Sequence, residues 1–198
     1  MIDTTPILIL AGGKSSRMGR DKLALTVTPD GESLLRRAAR RFSEHFSRVY
    51  VSVGERETEN VGLPTIRDVF PNCGPISGLH AALTTLGCGV FLVAADMPFA
   101  NPELAKRIIE QSHGYDVTCA GTEENVEPLF AYYAASVLPR VETAIAAERY
   151  SLSREVLRRV NTLYIPIPNE GLANVNTPDE LEKARNAANS EIFNLTNE

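Results

Sequence analysis

The sequence contains no apolar run of the roughly 20 residues that a bilayer crossing requires, so no membrane partner is expected. Positive charge is in deficit: 20 Lys and Arg against 25 Asp and Glu give a formal net charge of −5. That excludes a chain drawn to nucleic acid by its overall field. Cysteine is sparse. Cys73, Cys88 and Cys119 lie far apart with no C-x-x-C pair, so neither a disulfide framework nor a zinc site is expected, and the three read as free thiols. His45, His80 and His113 are equally scattered, as surface or packing residues. The opening "MIDTTPILIL" lacks the basic region of a signal peptide, so a cytoplasmic location is expected. No internal repeat, low-complexity tract or linker interrupts the chain. The 198 residues, 43% hydrophobic and 23% charged, read as one globular domain over 1–198.

What is present is alternation. "PILIL", "RVYVSV", "GVFLVAAD", "DVTCAG", "PLFAYY" and "TLYIPI" are short apolar or β-branched runs, and predict strands. "ESLLRRAARRFSEHF" repeats its apolar residues at helical spacing, with arginines opposite. "GPISGLHAALTTLG" predicts a helix closed by Gly87. "NPELAKRIIEQSHG" predicts one with Asn101 as N-cap, Pro102 in first position and Gly114 as stop. "SVLPRVETAIAAE" and "SLSREVLRRV" predict two more helices. "TPDELEKARNAAN" predicts a last one, opened by a capping box of Thr177 and Glu180. Strands alternating with helices predict an α/β fold of three layers, α/β/α. Continuous apolar strands, covered on both faces, predict a mostly parallel central sheet.

Ligands bind such sheets at the carboxyl ends of the strands. Three strand ends carry polar chemistry: "LAGG", "AADMP" and, before the last helix, "ANVNTP". The first opens "LILAGGKSSRMGRDKLAL", residues 8–25, where Lys14, Arg17, Arg20 and Lys22 surround two glycines. Glycine backbone can approach a ligand closely, and exposed N–H groups beside cations cradle phosphate. A Walker loop is excluded, because Leu8 stands where its first glycine belongs, and the glycine spacing also excludes a Rossmann fingerprint.

Leu10-Ala11-Gly12-Gly13-Lys14-Ser15-Ser16-Arg17-Met18-Gly19-Arg20-Asp21-Lys22, closed by Leu25, resembles the signature of the molybdenum cofactor guanylyltransferases. "RDVFPNCGPISGL", "AADMPF", "EPLFAYY" and "NVNTPDEL" continue the resemblance in family order over nearly the whole chain. The resemblance implies a Rossmann-like nucleotidyltransferase fold. It also implies transfer of GMP from GTP to the phosphate of molybdenum-molybdopterin, with release of pyrophosphate. Two anionic reactants must be neutralised and aligned, and Mg²⁺ is the expected agent. GTP and molybdenum-molybdopterin are the expected ligands. Transient contacts with other cofactor-biosynthesis proteins and with acceptor enzymes are expected too, because so labile an acceptor is best passed directly.

Asp96 follows "FLVAA" and precedes Met97-Pro98, which is a metal carboxylate's place or that of a turn aspartate. The resemblance assigns it magnesium and nucleotide. It assigns nucleotide contacts to Leu10, Ala11, Gly12, Gly13 and Lys22. Arg17 and Lys22 are the candidates for phosphate neutralisation, with Lys14 and Arg20 as solvated charges. Asp68 matches a family aspartate near the nucleotide. It would accept the guanine N1–H and N2–H₂ edge, or else pair with Arg67 as a loop carboxylate. Ser52 stands where the family often carries an asparagine that contacts the nucleotide; serine keeps a donor and an acceptor with shorter reach. Asn174 and Asn176 would complete the metal shell or hold the pterin, or else serve turn and capping chemistry. The alternatives are a cytidylyltransferase of the same pterin, another small-phosphate nucleotidyltransferase, and a nucleotide-binding regulator without catalysis.

Overall fold

The structure is a computed structural model and describes residues 4–11, 26, 31–54, 58–167, 172, 174, 175, 177, 179–183, 185 and 186. Gly12, Gly13, Lys14, Arg17, Arg20, Lys22 and Asn176 lie outside the described residues.

Seven strands form one sheet: β1 (Ile7–Leu10), β2 (Val49–Val53), β3 (Thr65–Arg67), β4 (Val90–Ala94), β5 (Val117–Gly121), β6 (Val126–Tyr133) and β7 (Thr162–Ile165). Their order across the sheet is β3-β2-β1-β4-β6-β5-β7. Every pairing is parallel except those of β6, which runs antiparallel to both β4 and β5. The β5–β6 connection explains the exception. Only Thr122–Asn125 separate the two strands, too few for the crossover that a parallel pair demands. The carboxyl ends of β1 to β5 therefore share one edge.

The described helices are α1 (Leu34–Ser43), α2 (Pro75–Leu86), α3 (Pro102–Glu110) and α4 (Leu138–Ala146), and residues 179–183, 185 and 186 are helical. Successive residues of β1 feed opposite layers, as a strand's period of two requires. Ile7 and Ile9 pack with Leu35, Phe42, Ala105 and Ile108 of α1 and α3. Leu8 and Leu10 pack with Ile76, Leu79, Val141 and Ile145 of α2 and α4. The three-layer arrangement read from the sequence is thus present, with every residue of β1 and β4 buried.

Local signals hold at the helix ends. Asn101 Oδ1 accepts the Glu103 N–H at 2.9 Å, and α2 ends on Gly87 as expected. The capping box forms: the Thr177 N–H donates to Glu180 Oε2 at 2.9 Å and the Glu180 N–H to Thr177 Oγ1 at 3.2 Å.

Three expectations change. Helix α3 ends at Glu110, short of Gly114, which serves a later turn. "SLSREVLRRV" forms a π-helical turn over Leu152–Val156 followed by a 3₁₀ turn, Leu157–Arg159. The wider turn directs Leu152, Glu155 and Val156 inward together. Strand β3 was not expected; its three residues are drawn into the sheet by pairing with β2.

Candidate functional site

The sequence-predicted residues that are described converge on the carboxyl edge, and backbone hydrogen bonds tie them there. Leu10 ends β1, and its carbonyl accepts the Ala95 N–H at 3.2 Å, linking β1 to the exit of β4. The Ala11 N–H donates to the Ser52 carbonyl at 3.2 Å, and the Asp68 N–H to that of Val53 at 2.9 Å. The ends of β1, β2 and β3 are thereby held side by side.

Ser52 and Asp68 form one unit. Ser52 is buried, and its hydroxyl donates to Asp68 Oδ1 at 2.8 Å. Burial pushes the Asp68 carboxyl above the usual aspartate range, and the serine donation opposes it. Arg67 is not its partner; Arg67 donates to the Gly54 carbonyl at 2.9 Å. A half-buried carboxylate held by a single hydroxyl keeps acceptor capacity for an N–H edge.

Helix α2 makes this pair possible. A Cβ at Gly78 would lie 2.6 Å from Ser52 Oγ and 2.9 Å from Leu10 Cδ2, so only glycine lets the helix approach so closely. The same helix begins at Gly74-Pro75 without a side-chain cap; Pro75 has no N–H and the Ser77 N–H donates to the Gly74 carbonyl at 3.0 Å, so what the first turn offers is chiefly the positive end of the helix dipole. Within that turn, Ser77 Oγ accepts the Phe70 N–H at 3.2 Å and secures the loop that carries Asp68.

Asp96 follows β4 at the centre of the edge. Its carbonyl accepts the Val175 N–H at 2.9 Å, which brings Asn174-Val175 against the strand end. The neighbouring Asn174 Oδ1 is buried and has no hydrogen-bond partner among the described residues. A carboxylate and an amide oxygen are hard donors of the kind magnesium takes, so the residues present fit a hard divalent cation. Backbone geometry thus joins Leu10, Ala11, Ser52, Asp68, Asp96 and Asn174 into one site. A cleft of about 530 Å³, lined by Thr122, Glu123, Glu124 and Arg158, contains none of them.

One charged residue of this region escaped the sequence reading. Glu127 starts the "EPLFAYY" run on β6 and is half-buried. Burial, and beyond it the negative charge of Asp96, raise its carboxyl above the usual range, while the Leu129 N–H, donating to Oε1 at 3.2 Å, opposes the rise. The signal lay in the motif itself: a glutamate before Pro-Leu-Phe, at the start of an otherwise apolar strand.

Known proteins resemble this chain over nearly its whole length. A protein of Pelotomaculum thermopropionicum named "Probable molybdenum cofactor guanylyltransferase" is 38% identical over 203 residues, covering 93% of each chain. A protein of the same name from Carboxydothermus hydrogenoformans is 31% identical, covering 89% of this chain and 93% of that one. The crystal structure of molybdopterin-guanine dinucleotide biosynthesis protein A from Archaeoglobus fulgidus superposes with a TM-score of 0.81 at 25% identity, over 94% of this chain and 100% of that one. The family model described as "MobA-like NTP transferase domain" matches residues 7–163. With the family model matched over residues 7–163 and a relative 38% identical over 93% of each chain, this chain belongs to the MobA-like NTP transferase family of enzymes.

Proposed function

We propose that the protein transfers GMP from GTP to the phosphate of molybdenum-molybdopterin, yielding the guanine dinucleotide form of the cofactor. The observation that carries this reading is the placement of Asp96. It follows the central strand, with the Ser52–Asp68 pair on one side and, close to its backbone, the buried Asn174 Oδ1, which has no hydrogen-bond partner among the described residues.

An oxygen of the acceptor phosphate attacks the α-phosphorus of GTP. The bond from that phosphorus to the bridging oxygen breaks, and pyrophosphate leaves with the electron pair. Asp96 and Asn174 would hold Mg²⁺, which when bound neutralises phosphate charge and fixes the reacting oxygens. Leu10 and Ala11 lay backbone along the nucleotide, as do Gly12 and Gly13 by family resemblance. Asp68, steadied by Ser52, accepts the N1–H and N2–H₂ of guanine, an edge that adenine lacks. Arg17 and Lys22 neutralise the triphosphate, Arg17 as a bidentate fork and Lys22 as a point charge. Asn176 serves beside Asn174 at the pterin or the metal. The enzyme works in the cytoplasm as a single domain, and receives and delivers its labile substrate through transient protein contacts.

The test is turnover with molybdenum-loaded molybdopterin, Mg²⁺ and GTP, CTP, ATP or UTP in separate reactions, read as the dinucleotide formed. Product with GTP alone is expected. Product with CTP would reassign the base and leave the transfer chemistry standing. No product with any nucleotide would overturn the reading. Asp96→Asn is expected to lower turnover at least ~100-fold, the scale of losing one preorganised electrostatic group. Nucleotide binding, followed by titration calorimetry, should be largely retained.

A further inference from the structure

The order of the strands divides the site into two halves. Leu10, Ala11, Ser52 and Asp68 belong to β1, β2 and the exit of β3, all on one side of β4. Asp96 stands at the dividing strand. On the other side come β6, β5 and β7. A displacement at the α-phosphorus requires the nucleophile and the leaving pyrophosphate on opposite faces. With the nucleotide on the β1–β3 side, the acceptor is left the β6 side.

Glu127 is the β6 carboxylate of this half: its pairing with Ala120, near the carboxyl end of β5, sets it at the same edge and within range of the Asp96 charge. The β4–β6 ladder pairs Val90 with Tyr133 and runs to Val93 with Phe130. Beyond that ladder β4 leaves the sheet in a turn, and Glu127 lies near enough to Asp96 that, beyond burial, the charge of Asp96 raises its carboxyl. On the β5 side the register breaks: Cys119 pairs with Ala131, but the next residue, Ala120, pairs with Glu127. Residues 128–130 bulge out between these pairs, the kind of irregularity that re-aims a side chain.

Two contacts secure the bulge. The buried Tyr133 hydroxyl donates to the Pro128 carbonyl at 2.8 Å. Gly121 admits the Asn125 carbonyl, whose oxygen would lie 2.2 Å from any Cβ there. Glu127 Oε1 is occupied by the Leu129 N–H, which leaves Oε2 for a ligand.

We propose that Glu127 determines acceptor specificity: its Oε2 accepts an N–H or O–H of the acceptor and so orients the acceptor phosphate toward the α-phosphorus. A carboxylate repels phosphate, so Glu127 does not hold the phosphate itself; it recognises the donor-bearing part of a phosphorylated heterocycle. Tyr133 acts as a positioning residue through the Pro128 carbonyl. The inference rests on the guanylyl-transfer reading for the identity of the acceptor.

The experiment compares the parent with Glu127→Gln and Tyr133→Phe, using molybdenum-loaded molybdopterin and GTP with Mg²⁺. Glu127→Gln is expected to raise the KM for the acceptor about tenfold, the scale of one hydrogen bond to a charged group. The KM for GTP and the affinity for Mn²⁺ with GTP should stay within about twofold of the parent. Tyr133→Phe should show the same split to a smaller degree, and it tests the inference independently if the glutamine variant fails to fold. An unchanged acceptor KM overturns the proposal. So does a loss confined to Mn²⁺ or GTP affinity, which would assign Glu127 to the metal. If the parent forms no dinucleotide, the proposed function fails by itself. Acceptor binding without nucleotide then still decides the role of Glu127: weaker binding by Glu127→Gln supports it, and equal binding overturns it.

Discussion

Asp68 shows how one residue can favour function over stability. Its carboxyl is half-buried and held above the ordinary aspartate value of about 3.8. Below that value the group is protonated in the native and unfolded states alike. As pH rises from there through the raised native value, the unfolded chain gives up its proton first, so native stability falls and stays lower above the window. Asp68→Asn removes that loss and keeps an oxygen for the Ser52 hydroxyl. Its urea midpoint at pH 7 should equal or exceed the parent's, with the advantage vanishing near pH ~3. The preference for GTP over ATP should fall about tenfold in the same variant. A lower midpoint at pH 7 would show that the ionised carboxylate stabilises the fold.

The thiols differ by residue as well. Cys73 and Cys119 are buried and Cys88 is partly exposed. Burial pushes the Cys119 thiol up to about 12. With a thiol-titrating reagent at pH 8, Cys88 should react first and Cys119 only on unfolding. Early labelling of Cys119 would contradict its place in the core.

At the scale of elements, two helical pieces carry chemistry that their amphipathic patterns do not announce. Helix α2 can lie against Ser52 and Leu10 because residue 78 has no side chain. Gly78→Ala forces a shift in β1 or β2 and should cost about 1–3 kcal/mol by urea unfolding, with weaker GTP binding. Full stability and full binding together would mean that the helix moves freely.

The π-helical turn buries Glu155 where Arg140 reaches it twice, Nε to its carbonyl at 2.6 Å and Nη2 to its Oε2 at 2.9 Å. Arg149 and Arg159 approach the same oxygen at 3.8 and 3.6 Å. Glu155→Gln leaves three guanidiniums facing one another without a counter-charge, and is expected to lower stability by about 3 kcal/mol. The loss should shrink at high salt, since Arg149 and Arg159 are half exposed. A salt-independent loss would identify packing of the turn as the cause.

For the whole molecule, the sheet is the instrument that brings distant segments to one edge. The site draws on residues from β1 to the segment before the last helix, so ligand that bridges them should stabilise the fold as a unit. GTP with Mg²⁺ at a hundredfold excess over its Kd should stabilise by about 2.7 kcal/mol. That corresponds to a rise in Tm of roughly 5–10 °C for a chain of this size. Mg²⁺ should add nothing to the GTP effect in Asp96→Asn. A full Mg²⁺ increment in that variant would remove Asp96 from the metal.

Much of this molecule is local, and local features were legible. Asn101, Gly87 and the Thr177–Glu180 pair marked helix ends, because caps are made within a few residues of the chain. Apolar runs marked β1 and β4, because burial on both faces leaves no polar alternation. "AADMP" was legible as a strand exit, and the structure brings Val175 against it at the carboxyl edge, the edge where such sheets bind ligands. Other features needed the fold. The pairing of Ser52 with Asp68 spans 16 residues and depends on β2 and β3 lying parallel. Strand β3 is too short to announce itself and exists only by pairing. The π turn buries Glu155 against Arg140, a contact that spans 15 residues and that no local pattern announces. Glu127 is one of three glutamates within five residues of sequence, and only its pairing with Ala120 across a bulge sets it at the edge near Asp96. By itself the sequence determined most of the elements, their layers and the residues that carry charge. Only the tertiary structure decided which charges meet, because cross-strand register and close helix approach couple residues that no local spacing relates.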